Sequence, residues 1–280
     1  MTAAAIISLE SRPVGIGGVG KLRRIALLLL LSALALGLGG CTLPTFGAFR
    51  GATSQGQTEF KLWSWMTITG AVVAVIVWGL ILWAVVAYRR RDPDKMPRQF
   101  QSNLPVEIIY TALPLIIVGF IFFYTVSAEN KIDALAPNPA VRIEVTGFQW
   151  GWSFSYTNAT GRQIALVETA QPRPPLLAAS PLSSEYPRFV IPVGETTQIM
   201  LVSNDVVHTF YVPAFNFGRQ ALPGVTNMFD FTPVKRGIFA GHCATYCGLY
   251  HSEMLFSVAV VSPSAFRTWL SAESAAQAAA

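Results

Sequence analysis

Three long stretches of this chain carry no charged side chain: residues 25–49, 62–88 and 108–128, of which the second and third qualify as membrane spans. At a rise of 1.5 Å per residue, about 20 apolar residues in a helix cross a hydrocarbon core about 30 Å thick. Trp65 and Tyr88 stand near the two ends of the second stretch, where amphipathic rings favour the level of the lipid headgroups. The sequence therefore predicts a transmembrane hairpin over residues 62–128.

The connection between the two predicted spans, residues 89–103, is basic. Its five cations are Arg89, Arg90, Arg91, Lys95 and Arg98. Short loops rich in lysine and arginine stay on the cytoplasmic side of a membrane. The loop is therefore predicted to be cytoplasmic. Residues 41–61 and 129–280 are then extracytoplasmic, in a multi-pass protein of the plasma membrane.

The chain opens on a basic segment followed by an apolar run. Residues 21–24 hold three cations, residues 25–36 are rich in Leu and Ala, and Leu-Gly-Gly-Cys follows at residues 38–41. The pattern resembles the lipobox of bacterial lipoproteins, in which the cysteine becomes the lipidated first residue. Residues 1–40 are predicted to be a lipoprotein signal peptide and Cys41 a lipid anchor. An uncleaved third span is the alternative, and export by the Sec or the Tat route stays open.

Composition excludes two classes of protein. Charged residues make up 12% of the chain and apolar residues 52%, whereas about 25% of the residues in a typical globular domain are charged. So apolar a chain is not disordered. The net charge of +5 arises mainly in residues 1–40, which hold four basic residues and one acidic residue. No nucleic-acid partner is therefore predicted.

Residues 129–280 are predicted to form one β domain. Val141, Ile143 and Val145 alternate with polar residues, as expected for a strand with one buried face. Further strand signals occupy residues 188–192, 197–203, 206–212 and 255–261. Short strands separated by turns favour an antiparallel sandwich or barrel. Residues 157–187 form a proline-rich insertion, and residues 264–280 are predicted to be a terminal helix.

Cysteine and histidine are scarce, three of each, and most of them lie close together in the sequence. The pattern C-x3-C-x3-H-x2-M is formed by Cys243, Cys247, His251 and Met254. His208 lies 35 residues before Cys243, beside a predicted strand. Two thiolates, two imidazoles and a thioether are a soft set of ligands that selects copper. The four-residue spacing puts both sulfurs on one tight loop, close enough to bridge two metal ions.

Two other interpretations of these residues exist. Zinc also takes two cysteines and two histidines, although zinc motifs need no nearby methionine. Two neighbouring cysteines in an outward-facing domain most often form a disulfide. His242, directly before Cys243, is predicted to be a spectator and not a ligand.

With these motifs the chain resembles subunit II of haem–copper cytochrome c oxidase, in its actinobacterial branch. The resemblance runs from about residue 60 to 270. It includes residues 106–114 at the start of the second span, Gln-Trp-Gly-Trp at 149–152, Asn-Asp-Val-Val-His at 204–208 and Leu-Pro-Gly at 222–224. It implies a membrane-anchored all-β protein, in which a two-helix transmembrane hairpin precedes a cupredoxin-like Greek-key β-sandwich.

The resemblance also implies a function and a set of copper ligands. The chain would be the subunit of a respiratory oxidase that accepts electrons from cytochrome c at a binuclear copper (CuA) centre. It would pass them to haem in subunit I, where oxygen is reduced to water and protons are pumped. Cys243 and Cys247 would bridge the two copper ions, and His208 and His251 would each bind one. The weak ligands would be Met254 and the backbone carbonyl of Thr245.

Two further residues receive roles from the resemblance. Trp150 matches the tryptophan through which electrons from cytochrome c enter. Glu107 matches the carboxylate at the mouth of a proton pathway into subunit I. From its position alone, Glu107 is equally well explained as an acid at a helix N-terminus, stabilised by the helix dipole.

The chain departs from the family at Thr245, where the family usually has a glutamate. The glutamate's carboxylate binds magnesium at the subunit interface, so the sequence does not establish a magnesium ion here. Residues 129–280 hold nine basic and ten acidic residues. Strong steering of a basic partner is therefore not predicted.

The implied partners are oxidase subunit I, other oxidase subunits, membrane lipid and cytochrome c. The cytochrome c is either soluble or tethered to the membrane, in a supercomplex with a cytochrome bc complex.

Three other functions compete with this interpretation. A quinol oxidase subunit II would share the fold but lack the copper ligands. Nitrous oxide reductase has the same copper motif on a long soluble chain with a second large domain. A lipoprotein copper carrier would need neither paired spans nor a carboxylate at the start of one.

Overall fold

The structure is a computed structural model that describes residues 45–90, 92, 94, 96, 99–169, 180 and 182–279. The predicted signal peptide and the predicted lipid anchor at Cys41 lie outside the described residues. So do three cations of the predicted cytoplasmic loop, namely Arg91, Lys95 and Arg98.

Two long apolar helices begin the described chain. Helix α1 is Ser54–Ala87 and helix α2 is Leu104–Ile132. Their most apolar 18-residue windows have mean hydropathies of 2.6 and 2.3, and none of either window is buried within the protein. Apolar side chains exposed along whole helices need lipid or another protein around them. The two helices are therefore those of a membrane protein, and each extends a few residues beyond its predicted span.

Ten strands follow in the described residues. They are β1 (Val141–Phe148), β2 (Gly151–Thr157), β3 (Gln163–Glu168), β4 (Arg188–Pro192), β5 (Thr197–Ser203), β6 (His208–Val212), β7 (Phe217–Ala221), β8 (Asn227–Phe231), β9 (Gly237–Cys243) and β10 (Leu255–Val261). One sheet has the order β3-β2-β1-β5-β8 and the other β4-β10-β9-β6-β7. A terminal helix, α3 (Pro263–Ala279), closes the chain. The predicted architecture of two apolar helices and a β-sandwich is confirmed.

The predicted antiparallel pairing is confirmed for six of the eight strand pairs among the described residues and is wrong for two. Strand β1 pairs in parallel with β5, and β4 pairs in parallel with β10. In both pairs the two strands are far apart in the sequence, and other strands lie between them along the chain. Alternation of apolar residues reports a buried face but not the direction of the neighbouring strand.

Aromatic side chains fill the space between the two sheets. Trp152, Phe154, Phe210 and Phe256 are fully buried, and the rings of Phe210 and Phe256 are stacked with centroids 4.9 Å apart. A protein interior filled by closely packed rings resists small displacements of the backbone. The loops at the ends of these strands are therefore attached to a rigid sandwich.

The first turn of α1 packs against the β domain. Thr53 caps the helix by accepting a hydrogen bond from the N–H of Gly56 (3.0 Å), and it also forms a β-bridge with Pro233. The side-chain amide of Asn216 donates to the carbonyls of Phe49 (2.6 Å) and Gly56 (3.2 Å). These contacts hold the membrane helix and the sandwich together.

We expect Gly56→Ala to destabilise this connection. A Cβ at position 56 would overlap the backbone carbonyl of Phe215, which cannot move without shifting the β domain. Overpacking of this kind costs about 1–3 kcal/mol, so the midpoint of thermal unfolding of the full chain in detergent should fall. Gly70→Ala is the matched control, because a Cβ there meets nothing within 4 Å. Equal unfolding midpoints for the two variants would show that Gly56 does not pack closely against the β domain.

Candidate metal centre

The candidate ligands lie at one end of the sandwich, on two neighbouring strands and one loop. His208 begins β6, and Cys243 ends β9. These strands are antiparallel neighbours with Phe210 opposite Cys243, which brings the histidine near the cysteine. Residues 244–254 form the loop from β9 to β10, with a short 3₁₀ helix at His251–Glu253. The loop returns to its start because the N–H of Cys243 donates to the carbonyl of Met254 (3.0 Å).

The two sulfurs of Cys243 and Cys247 lie 3.9 Å apart at the centre of the site. Around Cys247 Sγ are His251 Nδ1 at 3.5 Å and Met254 Sδ at 3.4 Å. Around Cys243 Sγ are His208 Nδ1 at 4.0 Å and the Thr245 carbonyl at 3.2 Å. The other four predicted donor groups therefore surround the two cysteine sulfurs.

The site is mostly buried and its chemistry suits a soft metal. His208, Cys243, Cys247 and Met254 are buried. The donor atoms of His208, Cys243 and Cys247 lie within 4.8 Å of one another. Both cysteines are free thiols and not a disulfide. Thiolates, imidazoles and a thioether match copper far better than magnesium or calcium.

Asp205 sets the orientation of the His208 ring. Its Oδ1 lies 2.8 Å from His208 Nε2, while Oδ2 accepts a hydrogen bond from the N–H of Gln149 (2.6 Å). With the Nε2 proton held by the carboxylate, Nδ1 carries the lone pair that faces Cys243. Gly147 on β1 leaves room for the ring, since a Cβ there would lie 3.0 Å from His208 Cδ2.

The two thiols differ in acidity. Burial raises the pKa of Cys243, but hydrogen bonds to His208 and to backbone groups outweigh burial and leave the pKa below its usual value. Burial and the neighbouring Cys243 raise the pKa of Cys247 to about 12. For His208, burial lowers the pKa, but contacts with Cys243 and Asp205 outweigh it and leave the pKa raised. Without metal, the Cys247 thiol therefore keeps its proton at neutral pH.

We expect the apparent copper affinity to rise with pH. Copper binds the thiolate, so loading must release the Cys247 proton at any pH below about 12. Each released proton raises the apparent affinity about tenfold per pH unit. Since the pKa of His208 is raised, its proton adds to the slope at the acidic end. Competition with a copper chelator at pH 6, 7 and 8 measures the slope, and a pH-independent affinity would contradict the assignment.

Trp150 is hydrogen-bonded to the loop of residues 244–254, which we call the metal loop. Its Nε1–H donates to the carbonyl of Cys247 (3.2 Å), and the side-chain amide of Gln149 donates to the same oxygen (2.7 Å). Gly248, with φ of +123°, lies so close to the indole that a Cβ there would sit 3.0 Å from a ring carbon. The ring of Tyr250 meets that of Trp150 edge to face, with centroids 5.0 Å apart. The indole thus lies one hydrogen bond from the backbone of a candidate ligand.

The side chain of Thr245 has a partner that the sequence did not indicate. Its hydroxyl lies 2.5 Å from the hydroxyl of Thr209, on the strand that carries His208. The carbonyl of Thr209 also accepts a hydrogen bond from the N–H of Ala244 (3.2 Å). These bonds fasten the start of the loop to β6, with the Thr245 carbonyl beside Cys243.

Glu107 and His242 lie apart from the sulfur pair. Glu107 is in the first turn of α2 and its Oε1 accepts a hydrogen bond from the N–H of Asn103 (2.8 Å), so it caps the helix. The ring of His242 meets that of Tyr211 edge to face, with centroids 5.1 Å apart. Burial, followed by the nearby His251, lowers the pKa of His242.

Three residues support the site without having been predicted to do so. They are Asp205, Gln149 and Thr209. A carboxylate three residues before a candidate histidine could have been recognised as its partner. Gln149 and Thr209 act on loop atoms 98 and 36 residues away, and no local pattern announces such contacts.

Comparison with known proteins gives consistent matches along the chain. The family model for the periplasmic domain of cytochrome c oxidase subunit II matches residues 141–261, and the model for its transmembrane domain matches residues 47–127. The cytochrome c oxidase subunit 2 of Mycobacterium tuberculosis is 33% identical, over 91% of this chain and 84% of that protein. A probable cytochrome c oxidase subunit 2 of Streptomyces avermitilis is 35% identical, over 86% and 85%.

A search of solved structures also gives a match. The periplasmic domain of cytochrome oxidase subunit II of Bradyrhizobium japonicum is 29% identical, with a TM-score of 0.41, over 50% of this chain and 96% of that chain.

Proposed function

Because the chain belongs to the cytochrome c oxidase subunit II family, we propose that the six donor groups of its outer domain hold a binuclear copper (CuA) centre. The chain is subunit II of a respiratory oxidase and a partner of subunit I. Its part is to accept electrons from cytochrome c and pass them to haem in subunit I, for reduction of oxygen to water with proton pumping. The arrangement of four of these donor groups around the two cysteine sulfurs carries the proposal.

The residues divide the work of holding the metal. Cys243, Cys247, His208 and His251 would be the strong ligands, and Met254 and the Thr245 carbonyl would be the weak ones. When bound, the copper would supply a one-electron relay. The magnesium ion that other family members hold at this interface is not part of the proposal, since Thr245 has no carboxylate.

The protein around the site keeps the ligands in place during a change of charge. Asp205 fixes the His208 ring, and the Thr209–Thr245 pair fixes the loop start. The indole N–H of the buried Trp152 donates to the Met254 carbonyl (3.2 Å). Since burial also excludes water, little rearrangement of solvent or ligands opposes the transfer of an electron.

Electrons enter next to Trp150. Tyr246 and Leu249 stand on the metal loop with about four-fifths of each side chain exposed, and the partly exposed Tyr250 contacts Trp150. Exposed apolar and aromatic side chains grouped in this way are typical of a docking surface for a protein partner. The proposed partner is cytochrome c, soluble or tethered in a supercomplex with a cytochrome bc complex.

The remaining roles concern the membrane. The outer domain lies on the extracytoplasmic face of the plasma membrane, with Cys41 lipidated after removal of residues 1–40. Glu107 lies in the first turn of α2, whose 29 residues extend over about 43 Å at 1.5 Å per residue. Glu107 therefore belongs to the opposite membrane face from the metal centre, where we propose that it receives protons for subunit I.

The test is copper loading of the purified full chain. We expect two copper ions per chain that share one unpaired electron in the electron paramagnetic resonance spectrum. Zinc in preference to copper would contradict the proposal. So would a chain that takes up no copper and forms a Cys243–Cys247 disulfide even after reduction, and the chain would then be a structural oxidase subunit.

We expect Trp150→Ala to slow the acceptance of electrons from reduced cytochrome c at least about tenfold, because buried aromatic anchors at interfaces commonly contribute 2 kcal/mol or more. Copper content should stay at two ions per chain, since the variant removes no ligand. Stopped-flow oxidation of cytochrome c measures the rate. Trp269→Ala, on helix α3 beside Tyr156, is the control, and an equal loss in both variants would contradict the role of Trp150.

A further inference from the structure

A groove of about 660 Å³ opens between the outer ends of α1 and α2. Its walls toward the membrane centre are apolar and include Trp65, Ile117 and Phe120. Its outer end carries Lys61 from α1 and Lys131 from α2. Volumes of this size are typical of sites for small organic ligands.

The two lysines have no acidic partner within the described part of the chain. The ion pairs there join other residues, and neither ammonium group lies within 4 Å of a carboxylate oxygen. Glu59 and Glu129 lie close enough to each other to interact electrostatically at this end of the helices, but neither lines the groove. Two ammonium groups that form no ion pair within the described residues therefore line the mouth of an apolar groove.

The position along the helices defines what can fill the groove. Lys61 directly precedes the uncharged residues 62–88, and Lys131 follows the uncharged residues 108–128 by three positions. Both lysines therefore lie at the level of the outer lipid headgroups, while the apolar walls lie at the depth of the acyl chains.

We propose that the groove binds one anionic phospholipid of the outer leaflet. The phosphate lies between Lys61 and Lys131, and an acyl chain runs along Trp65, Ile117 and Phe120. Ser127, which also lines the outer end, supplies a hydroxyl donor for the phosphate oxygens. The proposal rests on the membrane position of the two helices and does not depend on the copper centre.

The charge pattern distinguishes this occupant from others. A helix of another subunit would cover the apolar walls but leave two cations uncompensated. Free phosphate would satisfy the lysines but leave the apolar walls exposed. A diacylglyceryl group without phosphate, such as a lipid anchor, would fill the walls but not the charged mouth. An anionic phospholipid alone satisfies both parts.

The experiment is native mass spectrometry of the full chain, delipidated in detergent and titrated with three probes. They are phosphatidylglycerol, diacylglycerol and glycerol 3-phosphate, which offer the whole lipid, the acyl part and the charged part. We expect one molecule of phosphatidylglycerol to be retained and neither of the other probes. Equal retention of diacylglycerol or of glycerol 3-phosphate would overturn the proposal.

Two variants locate the site. Lys61→Gln with Lys131→Gln should weaken phosphatidylglycerol retention about thirtyfold, since each lysine near an anionic headgroup contributes about 1 kcal/mol. Lys235→Gln with Arg236→Gln removes the same charge from an exposed turn of the β domain and should leave retention unchanged. Equal effects of the two pairs would overturn the proposal. Copper loading of each variant, measured separately, distinguishes failure of the lipid site from failure of the metal centre.

Discussion

Cys247→Ser is expected to abolish the binuclear copper centre. Cys247 Sγ lies within 3.9 Å of the sulfurs of Cys243 and Met254 and of His251 Nδ1, so it is the atom around which the site is built. A serine hydroxyl is a hard, weakly acidic group that does not replace a bridging thiolate. The variant should hold at most one copper ion per chain. It should also lose the electron paramagnetic resonance spectrum of two copper ions that share one unpaired electron. Metal analysis and electron paramagnetic resonance measure both quantities.

A control in the same loop separates loss of the ligand from disturbance of the loop. Tyr246→Phe removes one hydroxyl from an exposed ring that contacts His251 edge to face. It should retain two copper ions per chain with an unchanged spectrum. Full copper content in Cys247→Ser would contradict the central position of this sulfur.

Asp205→Asn is expected to lower copper affinity about 10–100-fold, the usual effect of removing a partner that orients a ligand. The carboxylate accepts hydrogen bonds from His208 Nε2–H and from the N–H groups of Gln149 and Val206. An amide offers one oxygen, so its NH₂ group must face one of these donors. The variant then loses either the bond to His208 or the bond to Gln149 that holds residue 205 in position, although every copper ligand is still present.

The measurement is chelator competition, with the histidine hyperfine couplings as a second readout. Asp133→Asn makes the same change of charge at an exposed carboxylate paired with Arg219, and it should leave both unchanged. Unaltered affinity and couplings in Asp205→Asn would show that His208 is oriented by its packing alone.

Different parts of the site could be predicted to different extents. Cys243, Cys247, His251 and Met254 fall within twelve consecutive residues, so one tight loop brings them together whatever the rest of the chain does. His208 could be assigned to the same site from its side-chain type, but its position depends on the pairing of β6 with β9. The contacts of Gln149 and Thr209 could not be predicted, because each joins segments far apart in the sequence.

The fold shows the same division. The aromatic and β-branched residues of β1, β5 and β10 indicate strands, since alternation or apolar runs are local properties. Strand β3 escaped prediction because it lies within residues 157–187, which were predicted to be a proline-rich insertion. Strands β7, β8 and β9 escaped prediction because glycines and polar residues interrupt their apolar pattern, as at Gly218 and Arg219 of β7. Their membership of the sheets comes from neighbouring strands that supply hydrogen bonds and cover their apolar residues.

The sequence by itself determined the two membrane helices, the β domain and the soft set of metal ligands. Hydropathy, periodicity and ligand softness are properties of the residues and of short spacings between them. Only the tertiary structure decided the parallel pairing of β1 with β5, the packing of Gly56 against the β domain and the hydrogen bond between Asp205 and His208. It also decided that Lys61 and Lys131 meet at one groove. Each of these depends on two segments distant in the chain, and only packing of the whole molecule determines which distant groups become neighbours.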